Sequence, residues 1–465
     1  MASDTPLLKR RSTASGGIAP FAALLFAAVP LLTASAALAD VELPKAPVDS
    51  DYYYDGKASG SLLELGQKLF FDKLLSGNRN IACASCHHPR LGTGDALPLS
   101  IGEGAKGLGE KRDAGRFPDD INERVGRNAQ PLFNVGAREF TRMFHDGRVE
   151  VSPHDPAIFL TPAGDELPAG LDNILAAQAM FPVLSNAEMA GQDGENPVAR
   201  AVADQHLGEA WSLLARRLQR QPAYVQLFKE AFADIRQADD IRFVHAANAI
   251  AAFQAITWRA DNSPFDRYLR GDKTALNAQQ QAGMKLFYGR AGCASCHSGA
   301  FQTDHRFHAI AMPQIGPGKS HGFDGHEDFG REAVSGRLAD RYRFRTPSLR
   351  NIELTGPWGH DGAFDTLRAT VEHHLKPQQS LNRYTLPQTI RPYRPDLAAT
   401  DTLVQNDPAR RQRLARSSEL DIAPLQAADI DALLAFLHAL TDPASRKPGE
   451  NVVPESVPSG LPVDR

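Results

Sequence analysis

The run C-A-S-C-H occurs twice, at residues 83–87 and 293–297, and the two copies use every cysteine in the chain. Four cysteines in an exported chain would ordinarily suggest two disulfides. The spacing argues for something else. Two thiols three positions apart can reach the two vinyl groups of one porphyrin. The histidine that follows is then held beneath the iron as its proximal ligand, which is the haem c attachment pattern. Cys83, Cys86, Cys293 and Cys296 are therefore expected to carry two haems c, with His87 and His297 as axial ligands.

Haem attachment of this kind implies a chain that leaves the cytoplasm, and the N-terminus fits. Lys9, Arg10 and Arg11 precede an apolar stretch over 18–32, and Ala37-Leu38-Ala39 forms a small-residue cleavage site before Asp40. That is the pattern of a secretory signal over 1–39. The apolar stretch is about 15 residues long and contains two prolines, too short to span a bilayer comfortably. The mature protein is expected in the periplasm with no membrane span. A net charge of −4 over 465 residues, with 42% hydrophobic and 23% charged residues, is ordinary for a globular protein and gives no reason to expect a nucleic-acid partner.

The chain also repeats around the two motifs. Gly66-Gln67-Lys68-Leu69-Phe70 precedes the first and Gly283-Met284-Lys285-Leu286-Phe287 the second. His145-Asp146-Gly147 and His360-Asp361-Gly362 follow them. A period of about 210 residues marks two tandem domains rather than a solenoid. Helices are expected from a Ser61 cap through Phe70, over 276–288, and over 425–440, where the aliphatic residues read as core. No sustained alternation points to a large sheet. The fold expected is mainly α: two cytochrome c-like haem domains with long loops and little β. Their boundaries are a linker at 40–58, a first domain at 59–260, a second at 261–441 with an irregular insertion at about 375–424, and a flexible tail at 442–465. Residues 148–174 read as a long loop, and the His-Asp-Gly runs as Asp-Gly turns.

Over roughly residues 60–440 the chain resembles the bacterial di-haem cytochrome c peroxidases and their relative MauG. Beyond the two C-A-S-C-H motifs the match rests on K-L-F-F-D (68–72), F-H-D-G-R (144–148), L-A-A-Q-A (175–179), A-E-M-A (187–190), D-N-S-P-F-D (261–266), T-P-S-L-R-N (346–351) and H-D-G (360–362). The resemblance implies a peroxidase: the N-terminal haem is the peroxide site, and the C-terminal haem takes in electrons. Gln178 and Glu188 stand where relatives have a distal glutamine and a catalytic glutamate, and Pro182 beside them. A carboxylate there can move a proton between the two peroxide oxygens. The resemblance also implies one calcium ion, at Asn128, Thr355 and Pro357. The partners it implies are hydrogen peroxide, a small periplasmic donor such as a cytochrome c or a cupredoxin, and in some relatives a second copy of the chain.

Three positions depart from the usual peroxidase pattern. Glu103 stands where many relatives have a histidine that caps the resting first iron, so this iron is expected five-coordinate; as a side chain, Glu103 reads as a solvated loop acid. His374 aligns with the distal methionine of the second haem and is expected to ligate it, with the adjacent His373 as the other register. His145 replaces a tryptophan between the haems and reads as a buried, hydrogen-bonded histidine. Two other functions stay open: a MauG-like oxidase that modifies a partner protein through a high-valent state shared by both haems, and a non-catalytic di-haem electron carrier. Denaturing mass spectrometry of the mature protein should find two haem masses added, and Cys293→Ala with Cys296→Ala should remove one of them.

Overall fold

The computed structural model describes residues 42–116, 121–386, 392 and 394–465. The expected signal over 1–39 lies outside them. Six helices place the functional groups: α1 (Gly60–Phe71), α2 (Ile174–Ala179), α3 (Phe243–Thr257), α4 (Ala278–Tyr288), α5 (Leu367–Leu375) and α6 (Ala427–His438). Strands are two or three residues long, so the protein is mainly α as expected. Among the described residues, no helix is long and apolar enough to cross a membrane.

The two halves are built on the same device. α1 packs on α3 and α4 on α6, and each contact is made through the glycine of the repeat. A Cβ on Gly66 would lie 2.0 Å from the Ala249 carbonyl oxygen, and one on Gly283 would lie 1.9 Å from that of Ala432. Only hydrogen lets these backbones approach so closely. Aromatic rings close the rest of each contact. Phe70 meets Phe253 at 5.4 Å between ring centres, and Phe287 meets Phe436 at 5.2 Å. α3 shows no helical period in the sequence because nearly every face is buried; 13 of its residues are buried, His245, Asn248 and Gln254 among them. α1 is capped by Ser59, whose side chain accepts from the Leu62 amide at 3.3 Å, so the cap falls two residues before Ser61.

The small sheets present the His-Asp-Gly turns. β1 (Arg142–Met143), β2 (Val149–Val151) and β3 (Phe159–Leu160) form an antiparallel meander, so 148–174 is only partly loop. The β1–β2 connection is the 144–148 run, where Asp146 accepts from the Arg148 amide at 3.1 Å. β4 (Phe307–His308) pairs with β5 (Phe344–Arg345).

Three segments are more ordered than their composition suggests. Tyr52, in the expected linker, is fully buried in the first core. The insertion at 375–424 contains helices Pro377–Arg383, Pro395–Ala398, Leu403–Asn406 and Pro408–Ser417. Three of its prolines sit at the first helical position, where a missing N–H costs nothing. Its buried Asp401 accepts from Arg124 at 3.1 Å, and its buried Arg394 donates to the Ala114 and Ile121 carbonyls. The tail packs against the first half. Asn451 and Val452 accept from Gln67, Ser459 donates to Asp72 at 2.6 Å, and Asp464 pairs with Lys73 at 2.6 Å. Val457 is buried in the first core. Its apolar residues come singly among prolines and polar residues, so no periodicity announced the packing.

In an exposed helix, alanine would be favoured over glycine by about 1 kcal/mol. Here the sign should reverse. Gly66→Ala and Gly283→Ala should each lower stability by about 1–3 kcal/mol, the usual cost of overpacking, read as a lower urea midpoint. Gly60→Ala, with nothing within 4 Å, is the control and should not lower it.

Candidate haem centres and distal pocket

Both motifs put their thiols on a single turn. Cys83–Cys86 form one helical turn with His87 closing it, and Cys293–Ser295 form a tighter turn ahead of Cys296 and His297. The four cysteines are free. Burial raises the Cys83 and Cys86 thiols to about 12 and Cys293 to about 11, so they stay protonated and make poor thiolate metal ligands. A porphyrin held through carbon–sulfur bonds needs no thiolate charge.

The histidines are oriented the same way. His87 Nδ1 lies 3.1 Å from the Thr93 carbonyl, and His297 Nδ1 lies 3.1 Å from the Gln302 carbonyl. Thr93 and Gln302 both have left-handed backbone (φ 62° and 48°). A carbonyl at Nδ1 fixes the proton there and leaves Nε2 as the basic nitrogen. His374 repeats the arrangement, with Nδ1 2.8 Å from the Thr370 carbonyl one helical turn back. Burial lowers the pKa of His87 and His374. Burial and the neighbouring His374 bring His297 down to about 4. His374 thus lies within electrostatic reach of His297. His373 differs. It uses Nε2 toward the Ile310 carbonyl at 2.9 Å and packs on Phe364, 5.0 Å between ring centres. These donor sets suit two haems, one with a single histidine and one with two.

The residues expected on the distal side sit on consecutive elements. Asn173 caps α2 by accepting from the Leu175 and Ala176 amides, and Gln178 lies near its end. Pro182 opens the next turn. Asn186–Ala190 then forms one wide turn of π-helical geometry with Glu188 at its middle, where the Ser185 carbonyl accepts from three successive amides, those of residues 188–190. Gly102 presses against this turn; a Cβ there would lie 2.1 Å from the Ala187 carbonyl oxygen. The Glu188 carboxylate acts electrostatically on both Cys86 and His87, which brings it to the first motif. Trp211 donates to the Met180 carbonyl at 2.8 Å and holds the corner between α2 and Pro182.

Glu103 is not a solvated acid. It is buried, and its carboxylate accepts from Asn78 at 2.7 Å and Asn80 at 2.5 Å. Two amides hold it where a capping histidine would have to swing free. His145 is hydrogen-bonded to the Asn128 carbonyl at 3.3 Å. Burial pushes its pKa well down, and Arg127 and His360 add to that. Asn128 gives its side-chain nitrogen to the Leu97 carbonyl at 2.6 Å, which leaves the side-chain oxygen as the atom a hard cation would use. Thr355 and Pro357 flank Gly356 beneath the Trp358 ring.

Sequence reasoning missed Lys319. Burial and Arg127 lower its pKa while Glu188 opposes them, so this ammonium from the second half reaches the field of the distal carboxylate. No motif marks it. It also missed the buried cluster in which Arg127 bonds Asp146 at 2.7 Å and Asp328 at 2.7 Å.

The paired attachment turns and their oriented histidines suit a protein with two c-type haem centres. Residues 61–274 match the di-haem cytochrome c peroxidase family. The methylamine utilization protein MauG of Methylorubrum extorquens is 31% identical over 315 residues, 67% of this chain and 68% of that one. The cytochrome c551 peroxidase of Pseudomonas aeruginosa is 30% identical over 311 residues, 66% of this chain and 70% of that one. Among solved structures, a MauG-like protein associated with microbial copper homeostasis superposes with a TM-score of 0.56, at 23% identity, over 89% of this chain and 96% of that one. The diheme peroxidase BthA of Burkholderia thailandensis gives 0.53 at 22%, over 83% and 87%. The chain belongs to the di-haem cytochrome c peroxidase family, whose members are peroxidase oxidoreductases carrying two c-type haems.

The opposed nitrogens of the neighbouring histidines make a testable distinction. His374→Met should raise the potential of the second haem, because thioether ligation favours the reduced iron. His373→Leu should leave the axial-ligand spectrum unchanged and lower stability, because it strands the Ile310 carbonyl. Spectroelectrochemistry and thermal unfolding of the two variants separate the roles.

Proposed function

We propose that the chain is exported, loses residues 1–39, and reduces hydrogen peroxide in the periplasm with electrons from a small donor protein. In this reading residues 59–260 and 261–441 each form a haem domain. Cys83 and Cys86 hold the first haem and Cys293 and Cys296 the second. His87 is the protein ligand of the first iron, and His297 and His374 are those of the second. When bound, the haems supply the iron that receives and delivers electrons.

The residues around them do the proton chemistry. Gln178 orients the peroxide by its amide. Glu188 takes the proton from one peroxide oxygen and returns it to the other, which leaves as water. Two electrons and two protons turn each peroxide into two waters. Pro182 shapes the pocket wall, and Asn78 and Asn80 keep Glu103 away from the first iron, so the fully oxidised protein is ready to react. One calcium at Asn128, Thr355 and Pro357 would steady the segment between the motifs. What supports the reading most directly is the placement of a carboxylate, Glu188, in the field of His87.

One observation favours the MauG-like alternative. His374 turns Nδ1 to the Thr370 carbonyl and acts electrostatically on His297, so with Nε2 as its ligating atom the second centre would be bis-histidine. Imidazole donates more strongly than thioether and favours the oxidised iron, which suits a centre that stores oxidising equivalents for a partner protein.

Glu188→Gln should keep both haems and slow peroxide consumption by roughly 10²–10⁴-fold, the usual contribution of a positioned proton-transfer group. Stopped-flow mixing of the oxidised protein with peroxide measures it. An unchanged rate would remove Glu188 from the chemistry and, with it, the main support for this reading.

A further inference from the structure

Beside the second motif the surface opens into a cavity of about 370 Å³ walled by five arginines: Arg142, Arg306, Arg331, Arg337 and Arg343. Its apolar floor is Phe307 of β4. The Arg331 guanidinium lies 4.5 Å from the centre of that ring, and the Arg142 guanidinium 5.9 Å. Stacking of this kind holds a guanidinium plane in place without consuming its donors. The acids that answer the arginines are fewer. Arg142 and Arg331 share Glu150, Arg337 pairs with Asp340 at 2.8 Å, and Arg343 pairs with Glu419 at 2.9 Å. Arg306 is exposed; its amide donates to Asp304 at 2.9 Å, and its guanidinium forms no ion pair among the described residues. The chain as a whole carries a net charge of −4, so a positive cavity is a local construction, not a reflection of composition.

The position of the cavity gives it a purpose. His308 lines it. Its Nε2 lies 2.9 Å from Asp304, and His308, Asp304 and Cys296 bring their ligating atoms within 4.8 Å of one another. One side chain of the cavity wall therefore stands next to the sulfur proposed to attach the second haem.

We propose that this cavity is the docking surface for the electron donor, that the donor presents a carboxylate-rich face to it, and that the electron passes by way of His308 and Cys296. The proposal rests on the reading that the second haem takes in electrons. Arginine forks bind carboxylates bidentately, and a positive patch raises the encounter rate with a negative partner. The donor is a one-electron metalloprotein. Each docking oxidises one donor and reduces the second centre by one electron, and two donors are consumed for each peroxide that becomes two waters.

The test compares two donors with the holoprotein: a blue copper protein of net negative charge, and a cytochrome c ringed by lysines. In the unmodified protein, kcat/KM for the acidic donor should exceed that for the basic one at low ionic strength and should fall as salt is added. Arg306→Glu with Arg337→Glu, both exposed, should lower kcat/KM for the acidic donor by roughly tenfold or more and raise it for the basic one, both effects fading as salt shortens the screening length. Oxidation of both donors at unaltered rates would overturn the docking surface and leave peroxide reduction standing. Oxidation of neither donor, with or without the substitutions, would overturn the peroxidase reading and the docking surface with it.

Discussion

An imidazole bonded to a backbone carbonyl through Nδ1 can present Nε2 in one direction only, and the three histidines of the proposed haem centres share that constraint. Thr93, Gln302 and Thr370 supply the carbonyls for His87, His297 and His374. The bond fixes tautomer and ring plane together, so the geometry of each centre is set before any iron arrives. Burial then keeps the rings neutral. Each attachment motif follows in sequence on the first helix of a pair, α1 or α4, and the glycine contacts at Gly66 and Gly283 bring backbone against backbone within those pairs.

The region between the motifs is held by charge instead. Arg127 lies buried between Asp146 of the first half and Asp328 of the second. Burial alone would raise both acids; Arg127 overcomes it and holds Asp146 at about 2 and Asp328 lower still. Acids held down in this way stabilise the fold above their unfolded pKa of about 4 and lose that contribution as pH falls through the folded value. The cluster is therefore intact over the whole neutral range. Removing one partner would leave a buried charge unanswered, which typically costs 3–5 kcal/mol. His145 belongs to the same region. Beside Arg127 and Arg345, a histidine there is kept neutral, so it adds no further positive charge between the centres.

How much of this the sequence discloses depends on whether the physics is local. The attachment motifs are local: three residues of spacing define two thiols on one turn. The helices α4 and α6 are local too, because their apolar residues recur at helical spacing. α3 escaped notice because a helix buried on all sides has no polar face to set the period. The tail and the insertion escaped because their contacts are distant in sequence. Asp464 reaches Lys73 across the whole chain, and Arg124 reaches Asp401. Proline misled in the insertion, since at the first position of a helix it is a start signal rather than a breaker. Lys319 and the arginine cavity have no motif at all; they exist only once β4, β5 and the β1–β2 turn are brought together.

Glu103 shows what a single changed residue can do when its neighbours change the meaning. Taken alone, a carboxylate in place of a capping imidazole could have been a weaker cap, a loop acid, or a second proton carrier beside Glu188. The two asparagines decide among these. Asn78 and Asn80 both donate to the same Glu103 oxygen, and Asn78 also donates to Glu195 at 2.7 Å. The loop amide of Glu103 is fixed as well, on the Ala187 carbonyl at 3.1 Å. A buried carboxylate held at its head and at its backbone has no freedom to swing onto an iron and back. The loop that would act as a gate is instead fastened to the turn that carries Glu188. Its role becomes the support of that turn, through Gly102 against Ala187, which in the proposed reaction leaves the acid-base work to Glu188.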